Sequence, residues 1–282
     1  MKKVVFLLAV VFSAFVSVAQ QTEAYGPFYG LNVYGYKSNL FNSDDLRADS
    51  FQTYSMTMSF AGSFEYGYLY DNGFAVSGGL QWGTSNQNYK GADQAYLYKL
   101  TANTKTSYLK IPLTFSHQTR NGKKFKFIYS VGFFYSLNTG YSDKIVLDYN
   151  DPNVADYETT ISKNTISTKN TKDTFKTSYA LDYKPYKTHG LGALAGLGFS
   201  YRLKERMEFI TQLKGEFQFT DAENSDEILY TPTGSTPGNP LLRRTYGNYA
   251  KYMSNNQAYR RAATHPFNLG LSLGLRFYVF SF

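Results

Sequence analysis

Phe267-Asn268-Leu269-Gly270-Leu271-Ser272-Leu273-Gly274-Leu275-Arg276-Phe277 alternates without a break. Odd-numbered residues are large and apolar; even-numbered ones are small or polar. A period of two is the pattern of a β-strand with one face in an apolar medium and the other in a polar one. Seven further stretches carry it. Tyr54–Tyr70 sets Tyr54, Met56, Met58, Phe60, Phe64, Tyr66, Tyr68 and Tyr70 against Ser55, Thr57, Ser59, Ala61, Ser63 and Glu65. Phe125–Leu137 sets Phe125, Phe127, Tyr129, Val131, Phe133 and Tyr135 against Lys126, Ser130, Gly132 and Ser136. Tyr25–Tyr36, Phe74–Thr84, Ser107–His117, His189–Leu203 and Met207–Phe219 complete the set of eight.

The connections alternate in length. Asp71-Asn72-Gly73, Gln118–Lys124 with its Asn121-Gly122 hairpin signal, and Leu203–Arg206 are short. Lys37–Thr53, Ser85–Thr106, Tyr141–Thr188 and Thr220–His265 are long polar loops; the last two, for which small inserted domains are the alternative, lack a sustained apolar period and are expected to be loops with local hairpins. In an up-and-down barrel, strands alternate direction, so every short turn falls at one rim and every long loop at the other. That is the arrangement of outer-membrane barrels, with short periplasmic turns and long outer loops. The expected fold is therefore all-β: an eight-stranded antiparallel up-and-down transmembrane β-barrel.

Periodicity does not say which face is outside, since a soluble barrel can be apolar within. Bulk decides it: rings of Phe, Tyr and Leu would overfill an eight-stranded lumen, whereas Gly, Ser, Ala and Thr with a few long charged residues fill it. The aromatic residues gathered toward strand ends, Trp82 among them, read as interfacial girdles. A mean hydropathy of -0.39 fits this, because every second strand residue faces a polar interior.

The chain has 282 residues and no cysteine, which excludes a disulfide framework, a thiolate metal site and a lipid-modified cysteine. Lys2-Lys3, the apolar run Val4–Val18 and the small residues Ser17-Val18-Ala19 read as a secretory signal peptide. Residues 1–19 are thus expected to be removed and residues 20–282 to form the outer-membrane barrel domain. The net charge of +8 comes without a basic cluster or nucleic-acid motif, so lipopolysaccharide is the expected acidic partner and nucleic acid is not.

The chain ends in Tyr278, Phe280 and Phe282, which look like the terminal signal read by the barrel-assembly machinery. These share the parity of Gly274 and Arg276, not that of Leu275 and Phe277, so either a bulge shifts the phase or the last residues leave the lipid face. Tyr108-Leu109-Lys110-Ile111-Pro112-Leu113, followed by a turn and then Tyr129-Ser130-Val131-Gly132-Phe133-Phe134-Tyr135, resembles the small outer-membrane β-barrel proteins of the Bacteroidetes, the PorT-like family. The resemblance covers the mature chain as architecture and this hairpin as motif. It implies location and fold; the family is named after a secretion-system component, and no reaction is implied.

The polar face carries Glu65, Lys110, Lys126, Arg202, Glu208, Lys214, Glu216 and Arg276. Charges confined in a narrow lumen must be paired, so these are expected to form a network that plugs the barrel. Three acids face five bases, leaving the surplus cations to water, backbone carbonyls or Gln212 and Gln218. No histidine pair has metal-ligand spacing, and neither a metal nor a cofactor is expected. The expected role is non-enzymatic, with outer loops contacting a protein partner, surface glycans or a secretion apparatus. The alternatives are a hydrolase built on His189 with Asp182 or His265 with Asp226, and a small-solute channel.

Overall fold

A computed structural model describes residues 25–42, 52–93, 98–119, 124–149, 157–162, 165–170, 176–180, 186–223 and 263–279. Its elements are β1 (Gly26–Asn42), β2 (Gln52–Leu69), β3 (Phe74–Asp93), β4 (Tyr98–Gln118), β5 (Phe125–Tyr149), β6 (Tyr157–Ser162), β7 (Thr165–Asn170), β8 (Lys176–Ala180), β9 (His189–Lys204), β10 (Met207–Gln218) and β11 (Thr264–Tyr278). Eight of them, β1 to β5 and β9 to β11, form a closed antiparallel barrel in which the first strand pairs with the last, from Phe28↔Tyr278 to Asn42↔Thr264. Among the described residues no helix is long and apolar enough to cross a membrane; the crossing is made by strands.

The face assignment follows side-chain bulk. Phe60 is 67% exposed, Phe133 62% and Leu271 59%, while Ser59 and Glu208 are 0% exposed. The apolar face therefore points away from the protein, and closure leaves no unpaired strand edge in the barrel wall to meet lipid. One rim holds tight turns. In Asp71-Asn72-Gly73, Gly73 takes φ 84°, its N–H donates to the Tyr70 carbonyl (3.1 Å), and the Phe74 N–H donates to Asn72 Oδ1 (3.0 Å). At the same rim, Glu205-Arg206 links β9 to β10. This is the turn end; the opposite rim is the loop end.

The strands run further than the alternation suggested. Ser85–Thr106, expected as a loop, is a continuous hairpin paired out to Asp93↔Tyr98. β5 continues to Tyr149 and starts a polar meander through β6, β7 and β8, so among the described residues of Tyr141–Thr188 the expected local hairpins are paired strands. Beyond the lipid belt both faces are wet, so the contrast that reveals a strand in sequence disappears while backbone pairing persists. The proposed signal peptide, Asn121-Gly122 and most of Thr220–His265 lie outside the described residues.

The interior is also more aromatic than the alternation suggested. Phe28, Tyr34, Tyr36, Tyr108, Phe134 and Tyr278 are all buried inside the barrel, where small and charged residues were expected. Glycine makes the room. A Cβ on Gly67 would overlap the Phe28 ring at 2.6 Å, and one on Gly192 would collide with the Phe134 ring. The phase question at the C-terminus also resolves. β11 reaches Tyr278 with its register to β1 unbroken, and Tyr278 is buried in the lumen. No bulge restores it to the lipid face. Phe280 and Phe282 lie outside the described residues.

Candidate functional site

The polar groups of the lumen gather around two carboxylates. Glu216 of β10 sits at mid-barrel with 1% side-chain exposure. Its Oε1 accepts hydrogen bonds from the Tyr36 hydroxyl (2.9 Å) and Gln81 Nε2 (2.9 Å). Its Oε2 accepts from Lys110 Nζ (2.6 Å) and Asn268 Nδ2 (3.3 Å). Lys214 Nζ adds an ion pair at 3.7 Å. A carboxylate offers about four lone-pair sites, so this acceptor is saturated by donors from β1, β3, β4 and β11. The cations are held from behind by aromatic faces: Lys110 Nζ is 4.1 Å from the Tyr108 ring centroid and 4.5 Å from that of Phe134, and Lys214 Nζ is 4.7 Å from that of Tyr34.

Nearer the turn end, Glu208 accepts a hydrogen bond from the Tyr278 hydroxyl at 2.8 Å. Lys126 Nζ and Arg202 Nη2 each stand 3.7 Å from its Oε1. Arg202 comes from the position paired with Glu208 across β9 and β10. Arg276 lies between the clusters, 3.9 Å from Glu65 and with its Cζ 4.1 Å above the Phe28 ring. Phe28 packs edge-on to Tyr278 at 6.1 Å and joins Leu69 and Ala75 in an apolar closure at the turn end.

All eight charged lumen residues singled out in the sequence are therefore placed in these clusters or bridge them, and each of the five cations has a carboxylate within 4.0 Å. The neutral partners differ from those expected. Gln218 accepts from the Ser136 hydroxyl (3.1 Å) and Gln212 donates to the Ser130 hydroxyl (3.5 Å); Gln81, Asn268, Tyr36 and Tyr278 serve the carboxylates instead. Parity names the lumen face of each strand, and these four have the correct parity. Which residues meet across the barrel depends on strand tilt and stagger, which alternation does not encode.

Two small cavities adjoin the Glu216 cluster. One cavity of about 30 Å³ lies on the loop side of Glu216, bounded by Ser85, Tyr108, Phe134 and Gln218. Another of about 30 Å³ lies on the turn side, bounded by Tyr34, Glu65, Ser130 and Arg276. Each has room for water and little else.

The three histidines stand on the outward face at the rims. His117 stacks on Tyr129 (5.2 Å), His189 on Tyr135 (5.8 Å) and His265 on Phe217 (5.8 Å). His189 Nδ1 also shares a hydrogen bond of 2.5 Å with the Tyr135 hydroxyl. Asp182 and Asp226, the carboxylates considered as their partners, lie outside the described residues. Among the described residues no group of three or more His, Asp or Glu side chains is arranged to hold a metal ion.

No protein-family model matches this chain. No curated protein sequence matches it. Solved structures do match. Neisserial surface protein A is 12% identical over 89% of this chain and 98% of its own, with a TM-score of 0.37. The outer membrane protein OprG from Pseudomonas aeruginosa is 10% identical over 93% of this chain and 100% of its own, with a TM-score of 0.38. A major outer membrane protein from Thermus thermophilus is 13% identical over 89% of this chain and 98% of its own, with a TM-score of 0.38. The class is defined by the closed sheet and its apolar exterior: the chain is an eight-stranded β-barrel of the outer membrane.

Proposed function

We propose that this protein is a non-enzymatic, plugged outer-membrane barrel that carries a polar sheet beyond the membrane as a contact surface for a protein partner, surface glycans or a secretion apparatus. The carrying observation is the state of the lumen: the Glu216 and Glu208 clusters tie strands across the interior and leave cavities of about 30 Å³. A solute path needs continuous water, and these clusters interrupt it. The alternative of a lipid or peptide hydrolase with a rim-located His, His189 with Asp182 or His265 with Asp226, turns on carboxylates outside the described residues. Resemblance of the 108–113 and 129–135 hairpin to the PorT-like family of the Bacteroidetes favours the secretion reading among the three contacts.

Two measurements test this reading. Purified protein in planar bilayers is expected to show no steady conductance; a large, lasting current overturns the plug. Protease on intact cells is expected to cut within 157–180 and to spare a cleavage site inserted at Asn72. The reverse pattern overturns the outward placement of the sheet.

A further inference from the structure

A larger cavity adjoins the loop-side lumen cavity and shares Asn138, Lys187 and Thr188 with it. It is a wedge of about 290 Å³ at the loop end, lined by Asn138, Thr139, Gly140, Tyr141, Tyr186, Lys187 and Thr188. Its origin is a defect in strand pairing. The β4–β5 register skips Thr139, passing from Tyr108↔Asn138 to Ser107↔Gly140. On its other edge β5 leaves β9 after Leu137↔His189 and takes up β6 only at Ser142↔Ser162. Residues 138–141 are thus the stretch where one barrel neighbour has gone and the next has not arrived. Bulges of this kind re-aim side chains and recur beside binding sites.

Both walls of the wedge are pinned. Asn138 N–H donates to the Thr188 carbonyl at 2.7 Å, and Lys187 N–H to the Ala222 carbonyl at 2.9 Å. Gly140 N–H donates to Asn138 Oδ1 at 3.0 Å, which fixes the amide and leaves its NH₂ as donor. Tyr186 is buried, bridges to Glu223 and packs against Tyr141 at 5.0 Å between ring centroids. Thr139 and Thr188 are exposed, so the space opens to solvent. The site is pre-formed.

Its chemistry is narrow. An aromatic wall beside a fixed amide and two threonine hydroxyls suits a ligand with an apolar C–H face and a rim of hydroxyls. The volume is at the lower bound of small-molecule pockets, on the order of 300 Å³, which admits one ring and no chain. The one cation in the lining, Lys187, is held by Asp221 at 3.5 Å, so an anionic ligand meets an already neutralised charge. We infer that the wedge is a binding subsite for a single neutral pyranose ring. This rests on the reading of the loop-end sheet as a contact surface and names one of its ligands.

The test is saturation-transfer NMR on the full-length protein in a detergent without a sugar head group. The probes are glucose, galactose, mannose and N-acetylglucosamine, with purified lipopolysaccharide as the lipid-borne source and sulfated glucose as the anionic control. Transfer to at least one neutral hexose, or to the polysaccharide part of lipopolysaccharide alone, supports the subsite and distinguishes free from lipid-borne sugar. The signal is expected to drop by about tenfold, equivalent to roughly 1.4 kcal/mol, in Tyr141→Ala. It should drop equally in Thr139→Trp, which fills the wedge from an exposed position and removes one of its two threonine hydroxyls. Heat-modifiable gel migration checks that both variants remain barrels. Absence of transfer from every neutral probe, transfer unchanged in Thr139→Trp, or preference for the sulfated sugar overturns the inference. None of these outcomes bears on bilayer conductance or protease access, so the wider reading stands or falls separately.

Discussion

Glu216→Gln is the sharpest perturbation of the lumen. The substitution keeps shape and one acceptor oxygen but removes the charge that holds Lys110 at 2.6 Å and Lys214 at 3.7 Å. Their side chains are 6% and 9% exposed, so water cannot replace the lost partner. Breaking a buried ion pair on one side costs about 3–5 kcal/mol, because the remaining charge is stranded. The rings of Tyr108 and Phe134 hold the Lys110 ammonium with or without Glu216 and so cancel from the difference, leaving an expected loss of about 3–5 kcal/mol. The assay is urea unfolding of the barrel in lipid vesicles, followed by heat-modifiable migration. Glu216→Gln with Lys110→Met removes both charges and is expected to recover more than half of the loss. If Glu216→Gln lies within about 0.5 kcal/mol of wild type, as substitutions away from buried features do, the carboxylate is not the centre of the lumen.

Three further outcomes are expected. Trp82, the chain's single tryptophan, is 57% exposed on the outward face, so brominated phospholipids should quench its emission strongly; emission indifferent to them would mean that the apolar face is not in lipid. Gly190→Ala would push its Cβ to about 2.6 Å from the Gln218 amide, and a loss of roughly 1–3 kcal/mol is expected in the urea assay, relieved by Gln218→Ser; an unrelieved loss would place the strain in the backbone. Amides of 85–92 and 99–107 should exchange slowly in deuterated buffer, as paired strands do, and exchange at loop rates would contradict the extended hairpin.

What could be read from sequence, and what could not, divides along physical lines. The barrel strands were legible in the lipid belt, because Leu269, Leu271 and Leu273 face hydrocarbon while Asn268, Gly270 and Ser272 face the lumen. Past the belt, Asn86, Gln87 and Asn88 meet water or polar neighbours on both sides, and the alternation that marks a strand is gone although pairing is not. The lumen charges were legible by parity. Their partners were not, since Lys110 and Glu216 stand on strands that do not pair, brought together only by closure and stagger. Two interior aromatics carried a usable signal: Tyr108 shares strand and parity with Lys110 and Phe134 with Lys126, and Gly192 sits where the Phe134 ring needs space. Tyr278 shows the value of phase over motif, because its parity with Arg276 agrees with its place in the lumen, hydrogen-bonded to Glu208.

The two ends of the polar interior differ in what they leave available for chemistry. At mid-barrel, four donors occupy the carboxylate of Glu216, and the flanking ammoniums are enclosed by Tyr108, Phe134 and Tyr34. A ligand entering there would have to displace protein donors it cannot replace, at a cost of the full desolvation of each group. At the loop end the reverse holds. Between Leu137 and Ser142 the backbone passes from one strand partner to the next, Thr139 is left over by the register shift, and the amide of Asn138 has donors to spare. The occupied carboxylate of Glu216 makes mid-barrel a rigid support, while the exposed Thr139 and the fixed amide of Asn138 keep the rim open to recognition. The strands that run on past the membrane carry those rim groups on paired backbone, so a site there is held by the same sheet that closes the barrel.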